Sequence, residues 1–176
     1  MTDPVGHLKS LIADVPDFPE PGILFRDITP LLADPAGLAL SIELMANPFR
    51  GRGIDLVIGA ESRGFIFGTA VACCLSAGFG LVRKPGKLPR ARKSREYSLE
   101  YGTNTLEMHE GDIKPGQRVL ICDDVLATGG TMDACIKLVG DLGGEVVAAA
   151  VLIELEGLGG RAALPAGVDV HSVVRY

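Results

Sequence analysis

The chain has 176 residues, 47 % of them apolar, and carries 22 acidic against 17 basic side chains for a net charge of −5. That length holds one compact α/β domain, here taken as 1–176, and excludes two of ordinary size. The negative balance argues against sequence-independent nucleic-acid binding, and no apolar run is long and uninterrupted enough to span a bilayer.

The first residues do not resemble a secretory leader, because the apolar run Leu8 to Ile12 is short and interrupted. Cys73, Cys74, Cys122 and Cys135 have neither a metal-ligand spacing nor the pattern of a disulfide framework. They read as small buried hydrophobes in a reducing compartment, so the expected location is cytoplasmic. His7, His109 and His171 are scattered singly, and none is assigned a catalytic role.

In chain order, Asp3-Pro4 predicts a capped helix start with Leu8, Leu11 and Ile12 on one face. The prolines of Pro16 to Pro21 predict a stiff, extended path. Ile23 to Pro30 follows, an apolar run that holds Phe25 beside Arg26. The residues alone leave open whether Phe25 plugs the core or is presented to a ligand. Asp34-Pro35 repeats the cap-plus-proline signal and predicts a helix to about Ala46. Ile54 to Ile58 reads as a strand, Glu61-Ser62-Arg63-Gly64 as its carboxyl-end turn, and Phe65 to Ala77 as a helix apolar almost all round. Such a helix needs cover on both sides, and a partner subunit would supply it.

Gly80 to Arg83 is a further predicted strand. Seven basic side chains follow within thirteen residues: Arg83, Lys84, Lys87, Arg90, Arg92, Lys93 and Arg95. In an acidic chain that cluster points to a local anion site on a mobile lid of about 84–102. Thr103 to His109 alternates like a ribbon strand. Glu145 to Ile153 and Val168 to Val174 are the last predicted strands. The order implies a mainly parallel sheet flanked by helices, with a short antiparallel ribbon at its side.

The most informative stretch is Val119 to Thr131, VLICDDVLATGGT. Four apolar residues suit a strand buried on both faces. Gly129 and Gly130 let successive main-chain N–H groups converge on an anion, and the helix that begins there adds its unpaired amides. Thr128 and Thr131 add hydroxyls, so Ala127 to Thr131 forms a cup for a monophosphate. Asp123 and Asp124 would repel a phosphate alone, but carboxylates accept strongly from vicinal hydroxyls. The stretch therefore reads as a ribose 5-phosphate site. It is neither a nucleotide-triphosphate P-loop, since it lacks the lysine, nor a dinucleotide loop. Ser62 and Arg63, at the end of another strand, make a second anion site. Two such sites call for a ligand anionic at both ends; 5-phosphoribosyl 1-diphosphate (PRPP) is one such ligand, and Lys87 on the basic loop could close over its diphosphate.

Val119 to Met132 resembles the PRPP motif of the type I phosphoribosyltransferases. Together with PDFPEPGILFRDITP (16–30), ESRGFIFG (61–68), RKPGKLP (83–89) and YSLEYG (97–102), it resembles the adenine phosphoribosyltransferase family along nearly the whole chain. The resemblance implies phosphoribosyl transfer from PRPP to N9 of adenine, with Mg2+ carried mainly by PRPP and no metal ligands of the protein's own. It implies that an N-terminal segment of about 1–34 recognises the base: Phe25 stacks on adenine while the backbone of Leu24 and Arg26 reads the purine edge. It also implies that Glu100, with Tyr101 nearby, manages the imidazole proton. Arg63 and Lys87 would assist the leaving diphosphate, and Arg83 would come from a partner subunit of a homodimer. Arg90 to Arg95 departs from the family by being more basic. Two other readings stay open: a non-catalytic PRPP-binding regulator of the same fold, and a transferase for another base. The short N-terminal segment and Glu100 speak against the first, FRD and YSLEYG against the second.

Overall fold

The computed structural model describes residues 3–98 and 103–176. Five parallel strands form the central sheet: β3 (Leu56–Ala60), β4 (Gly78–Val82), β7 (Arg118–Leu126), β8 (Glu145–Glu154) and β9 (Val170–Arg175), in the order β4-β3-β7-β8-β9. Two antiparallel pairs flank it, β1 (Ala13–Pro16) with β2 (Leu24–Asp27), and β5 (Arg92–Ser98) with β6 (Thr103–His109). The helices are α1 (Pro4–Ser10), α2 (Thr29–Ala33), α3 (Pro35–Ala46), α4 (Arg63–Leu75), α5 (Gly130–Asp141) and the single turn α6 (Gly160–Ala163).

Both sheet faces are covered, which is why β7 is apolar without alternation. Its side chains still point alternately to opposite faces. Leu120 and Cys122 pack with Phe67 and Val71 of α4 and Met45 of α3. Val119 and Ile121 pack with Cys135, Leu138 and Val139 of α5 and with Met108 of the ribbon. The caps expected at Asp3 and Asp34 form: Asp3 Oδ1 accepts from the Gly6 amide at 3.0 Å, and Asp34 Oδ1 from the Gly37 amide at 2.6 Å.

Four stretches differ from expectation. The proline-rich segment does not stay irregular throughout, because Pro16 ends β1 and Leu24 begins β2, with Val15 opposite Phe25. The short helix α2 precedes the predicted one. β7 continues through both acids as far as Leu126, so Asp123 and Asp124 sit on the strand itself. Finally, the last part of the basic stretch, from Arg92 on, is strand. Arg92 Nε lies 3.0 Å from the buried Glu107, Arg90 Nη2 lies 2.9 Å from Asp112, and Arg95 Nη2 donates to Asp141 of α5 at 2.5 Å. Cross-strand and strand-to-helix ion pairs thus use charges that composition alone assigns to a solvated loop. The cysteines divide as well: Cys122 and Cys135 are buried, whereas Cys73 is exposed.

Candidate active site

A cavity of about 330 Å³ opens at the carboxyl ends of β3 and β7, where parallel sheets place their ligands. Asp123, Asp124, Ala127, Thr128, Gly129, Gly130 and Thr131 line one side of it, and Glu61, Ser62, Arg63 and Lys84 the other. The two anion sites read separately along the chain therefore share one chamber.

The cup follows from local geometry. Gly129 precedes α5 with φ near +90°, a conformation suited to glycine. The Asp133 amide is the first of this helix to reach back, donating to the Gly129 carbonyl at 2.8 Å. The amides of Gly130, Thr131 and Met132 have no acceptor within the helix and face the end where the helix dipole is positive. Thr131 Oγ1 lies 3.5 Å from the Tyr97 hydroxyl. Tyr97 thus ties β5 to the cup, an arrangement that links residues far apart in the chain.

The two acids have different neighbours. Asp124 is 5 % exposed, and its Oδ2 lies 2.8 Å from Arg63 Nε. Asp123 accepts the Asp124 main-chain amide at 2.9 Å. Gly64 makes room beside it, since a Cβ there would sit 2.9 Å from Asp123 Oδ1. Burial raises both carboxyls above the usual carboxylate range, with the Asp124 charge adding to the rise at Asp123. Arg63 offsets part of that rise at Asp124. Such a pair gains when a ligand supplies hydroxyl donors and positive charge.

Of the predicted cations, Arg63 is in place and the others are less direct. Arg83 Nε donates to Glu61 Oε2 at 2.6 Å, and the Lys84 amide donates to the same oxygen at 3.0 Å. The Arg83 hydrogen bond is the main cause that holds the Glu61 carboxyl below its ordinary value. Lys87 is exposed and is not among the residues lining the cavity; Lys84 is. Lys84 was legible only as one of seven basic residues, with nothing in the sequence to single it out. Glu100 and Tyr101 lie outside the described residues.

A second cavity, of about 530 Å³, adjoins the first at Arg63. Val15, Phe18, Phe25, Ile28, Leu32 and Ile66 supply its apolar walls, with Asp27 and Thr29 at its edge. Phe18 and Phe25 meet edge to face, 5.2 Å between ring centres. The Arg63 guanidinium lies 5.5 Å from the Phe25 ring centre. Phe25 is thus on a cavity wall. Its strand neighbours turn their side chains elsewhere. Arg26 pairs with Asp14 and lies 3.8 Å over the Tyr176 ring, and Leu24 is exposed. β2 has a partner on one edge only among the described residues, so alternate main-chain groups on its other edge remain open to a ligand. Phe18 and Ile66 join this wall from β1's following turn and from α4. Only Phe18 had a sequence cue, its place in the proline-braced segment.

Among the described residues, no group of three or more His, Cys, Asp or Glu is placed to hold a metal ion. No helix among them is long and apolar enough to cross a membrane.

Residues 27–165 match the family described as phosphoribosyl transferase domain. The adenine phosphoribosyltransferase of Sorangium cellulosum is 58 % identical over 174 residues, covering 97 % of this chain and 87 % of that one. The crystal structure of adenine phosphoribosyltransferase from Rhodothermus marinus superimposes with a TM-score of 0.93 at 56 % identity, covering 98 % of both chains. The enzyme from Giardia lamblia, solved in complex with 9-deazaadenine, superimposes with a TM-score of 0.93 at 37 % identity, covering 99 % of both.

Proposed function

We propose how this site works from one premise: the chain belongs to the adenine phosphoribosyltransferases, within the phosphoribosyl transferase family. It transfers the 5-phosphoribosyl group of PRPP to N9 of adenine, giving AMP and pyrophosphate. The observation that carries the residue assignment is the junction at Arg63 of a charged chamber with an apolar one.

On this reading the 5-phosphate rests in the amide cup of Ala127 to Thr131, and the ribose hydroxyls donate to Asp123 and Asp124. Ser62 and Arg63 hold the diphosphate, and Lys84 faces it from across the chamber. Lys87 joins when the 84–91 segment closes, and Arg83, bonded to Glu61 in the single chain, is supplied to the diphosphate by the partner subunit of a homodimer. Adenine enters the second chamber flat against Phe25. Main-chain groups beside Phe25, at Leu24 and Arg26, separate adenine from 6-oxopurines by donor and acceptor pattern.

The C1–N9 bond forms as the C1–O bond to diphosphate breaks, and the leaving pyrophosphate takes the electron pair. Positive charge grows on the ribose in between, beside two carboxylates placed to hold it. Arg63 stabilises the charge that moves onto the diphosphate. Glu100, with Tyr101, takes the role of managing the imidazole proton.

Glu61 is already paired with Arg83, and Asp124 with Arg63. This donor set fits a Mg2+ that arrives on the diphosphate better than a metal held in a cage of protein ligands. When bound, it would neutralise the leaving group. Asp123 and Asp124, which line the same chamber, are the carboxylates that would help hold it.

A homodimer is part of the proposal. Ile66, Thr69 and Cys73 form an exposed stripe along α4 at the three- and four-residue spacing of one helix face, and a second copy would cover it. The cytoplasmic assignment rests on the four free cysteines. Light scattering that gives a monomer at micromolar concentration would remove the dimer.

The catalytic assignment is tested by mixing the protein with PRPP, Mg2+ and single bases. Adenine should yield AMP and pyrophosphate, with guanine and hypoxanthine unreacted. Consumption of another base instead would break the base assignment, and PRPP binding with no reacting base would favour the regulatory reading. Glu100→Ala should keep PRPP affinity and lose roughly 10²–10⁴ in kcat, the usual size of a general acid–base contribution. Normal turnover would remove Glu100 from the mechanism.

A further inference from the structure

Behind the phosphate cup, on the side away from the cavity, lies the single turn α6. A helix this short does not hold itself in place. Yet its backbone is in direct contact with the cup. A Cβ on Gly160 would fall 2.1 Å from the Ala127 carbonyl oxygen and 3.1 Å from the Gly129 nitrogen. A Cβ on Gly129 would in turn fall 2.7 Å from the Gly160 carbonyl oxygen. The two segments are therefore packed main chain against main chain, with no side chain between them.

What fixes α6 is the next residue, Arg161. Its Nε donates to Glu154 Oε1 at 2.8 Å and its Nη2 to Glu154 Oε2 at 2.6 Å. Its Nη1 also donates to the Val170 carbonyl at 2.8 Å. Glu154, the last residue of β8, is 4 % exposed and accepts the Ser172 hydroxyl at 2.5 Å, with Arg175 Nε 3.6 Å away. β8 lies beside β7, with Glu154 opposite Leu126, the residue before the cup. A planar fork on a buried carboxylate fixes orientation as well as distance. The Arg161 bond holds the Glu154 carboxyl down to a pKa of about 2. None of these side chains lines the reaction chamber.

We propose that Glu154, acting through Arg161, is a positioning residue for substrate: the ion pair seats Gly160 against Ala127 to Gly129 and so sets the shape of the 5-phosphate cup. The idea rests on the reading of Ala127 to Thr131 as the phosphate site. It makes a demand that a purely structural ion pair does not. Ligands with a 5-phosphate should feel its loss, and ligands without one should not.

The test compares binding of AMP with binding of Mg2+-pyrophosphate, and the KM for PRPP with kcat, in Arg161→Ala, Arg161→Lys, Gly160→Ala and Thr131→Ala. Arg161→Ala and Gly160→Ala should weaken AMP binding and raise the KM for PRPP by roughly tenfold, with kcat and pyrophosphate affinity within about threefold, the pattern of lost ground-state binding. Arg161→Lys keeps the charge without the fork and should recover part of the loss. Equal weakening of AMP and pyrophosphate would overturn the proposal. So would unchanged AMP affinity in Arg161→Ala and Gly160→Ala while Thr131→Ala weakens it, an outcome that leaves the phosphate cup standing. Unchanged AMP affinity in Thr131→Ala as well would instead overturn the cup. If either main variant fails to fold, Ser172→Ala decides. It removes the hydroxyl that donates to Glu154 and accepts from Arg161 Nη2 at 3.0 Å, while the Arg161–Glu154 fork stays, and a rise of roughly two- to threefold in the KM for PRPP is expected from loosening a retained network; no change overturns the proposal.

Discussion

The chamber at the end of β7 is walled by carboxylates, hydroxyls and main-chain amides, whereas the chamber beside Phe25 is walled by Val15, Phe18, Leu32 and Ile66. One side of the first is a continuous stretch, Asp123 to Met132, where a strand turns into a helix, and Glu61 to Arg63 with Lys84 close the other side. The second is assembled from two strands, the turn between them and the helix α2, all within Val15 to Leu32, together with Arg63 and Ile66 of the distant α4. Arg63 belongs to both, paired with Asp124 on one side and close to the Phe25 ring on the other. The contrast matches a two-part reaction. A sugar phosphate needs charge and fixed donors, while a flat heterocycle needs apolar area and a ring to stack on. Phe18, 51 % exposed, fits this division. An exposed large aromatic on a cavity wall is more informative than an exposed aliphatic elsewhere.

The largest separation of the two chambers is expected from Asp123→Asn combined with Asp124→Asn. Losing two charge-assisted hydrogen bonds to ribose hydroxyls should weaken PRPP binding by roughly 10²-fold or more. Adenine binding measured by itself should stay within about twofold, as no contact to the base is removed. The same variant should melt at the same or a higher temperature at neutral pH, because burial disfavours both charges. A fall in PRPP and adenine affinity together would merge the two chambers into one binding unit.

The complementary change, Phe25→Ala, should raise the KM for adenine by roughly tenfold, in line with ring stacking of about 1–3 kcal/mol. The KM for PRPP should hold. An unchanged adenine KM would return Phe25 to a packing role.

The contrast also explains what the sequence could and could not disclose. Asp123 to Thr131 was legible because the features that give it its shape are local: a buried strand, Gly129 in a left-handed turn, and free amides at a helix start. The parallel sheet and its flanking helices were legible from apolar runs broken by capped helix starts. Arg92 to Ser98 was misread as loop because its charges are satisfied by Glu107 and by Asp141 of α5, partners that no local pattern indicates. Lys84 over Lys87, Ile66 on the cavity wall, and Gly160 behind the cup all depend on how separate elements meet. Phe25 was ambiguous for the same reason. A single apolar residue in a short run looks alike whether it faces a core or a ligand.

A smaller effect concerns protons. In the free protein Asp123 and Asp124 hold protons to higher pH than ordinary carboxyls. Ligand hydroxyls and cations favour the ionised forms, so PRPP with Mg2+ should bind with proton release, and affinity should rise with pH through the raised pKa range. Calorimetry in buffers of different ionisation enthalpy reads the proton count. No release would contradict the ribose assignment. The apolar chamber has no such pair, and adenine binding should show no linked proton from this source.

The smallest predicted effect is on acid stability. Glu154 titrates at about 2 in the folded chain against an ordinary 4.5. Its depressed pKa contributes stability that is fully present above the ordinary value and is lost as pH falls towards about 2. Glu154→Gln should therefore flatten the acid limb of the melting curve over that interval. An unaltered limb would place the acid sensitivity elsewhere.

The division of labour between the chambers is tested most directly by a crystal structure with AMP bound. The phosphate should accept hydrogen bonds from the amides of Ala127 to Thr131, the ribose hydroxyls should meet Asp123 and Asp124, and the purine should lie against Phe25. A phosphate seated at Arg63, or a purine lying outside the Phe25 chamber, would contradict the assignment.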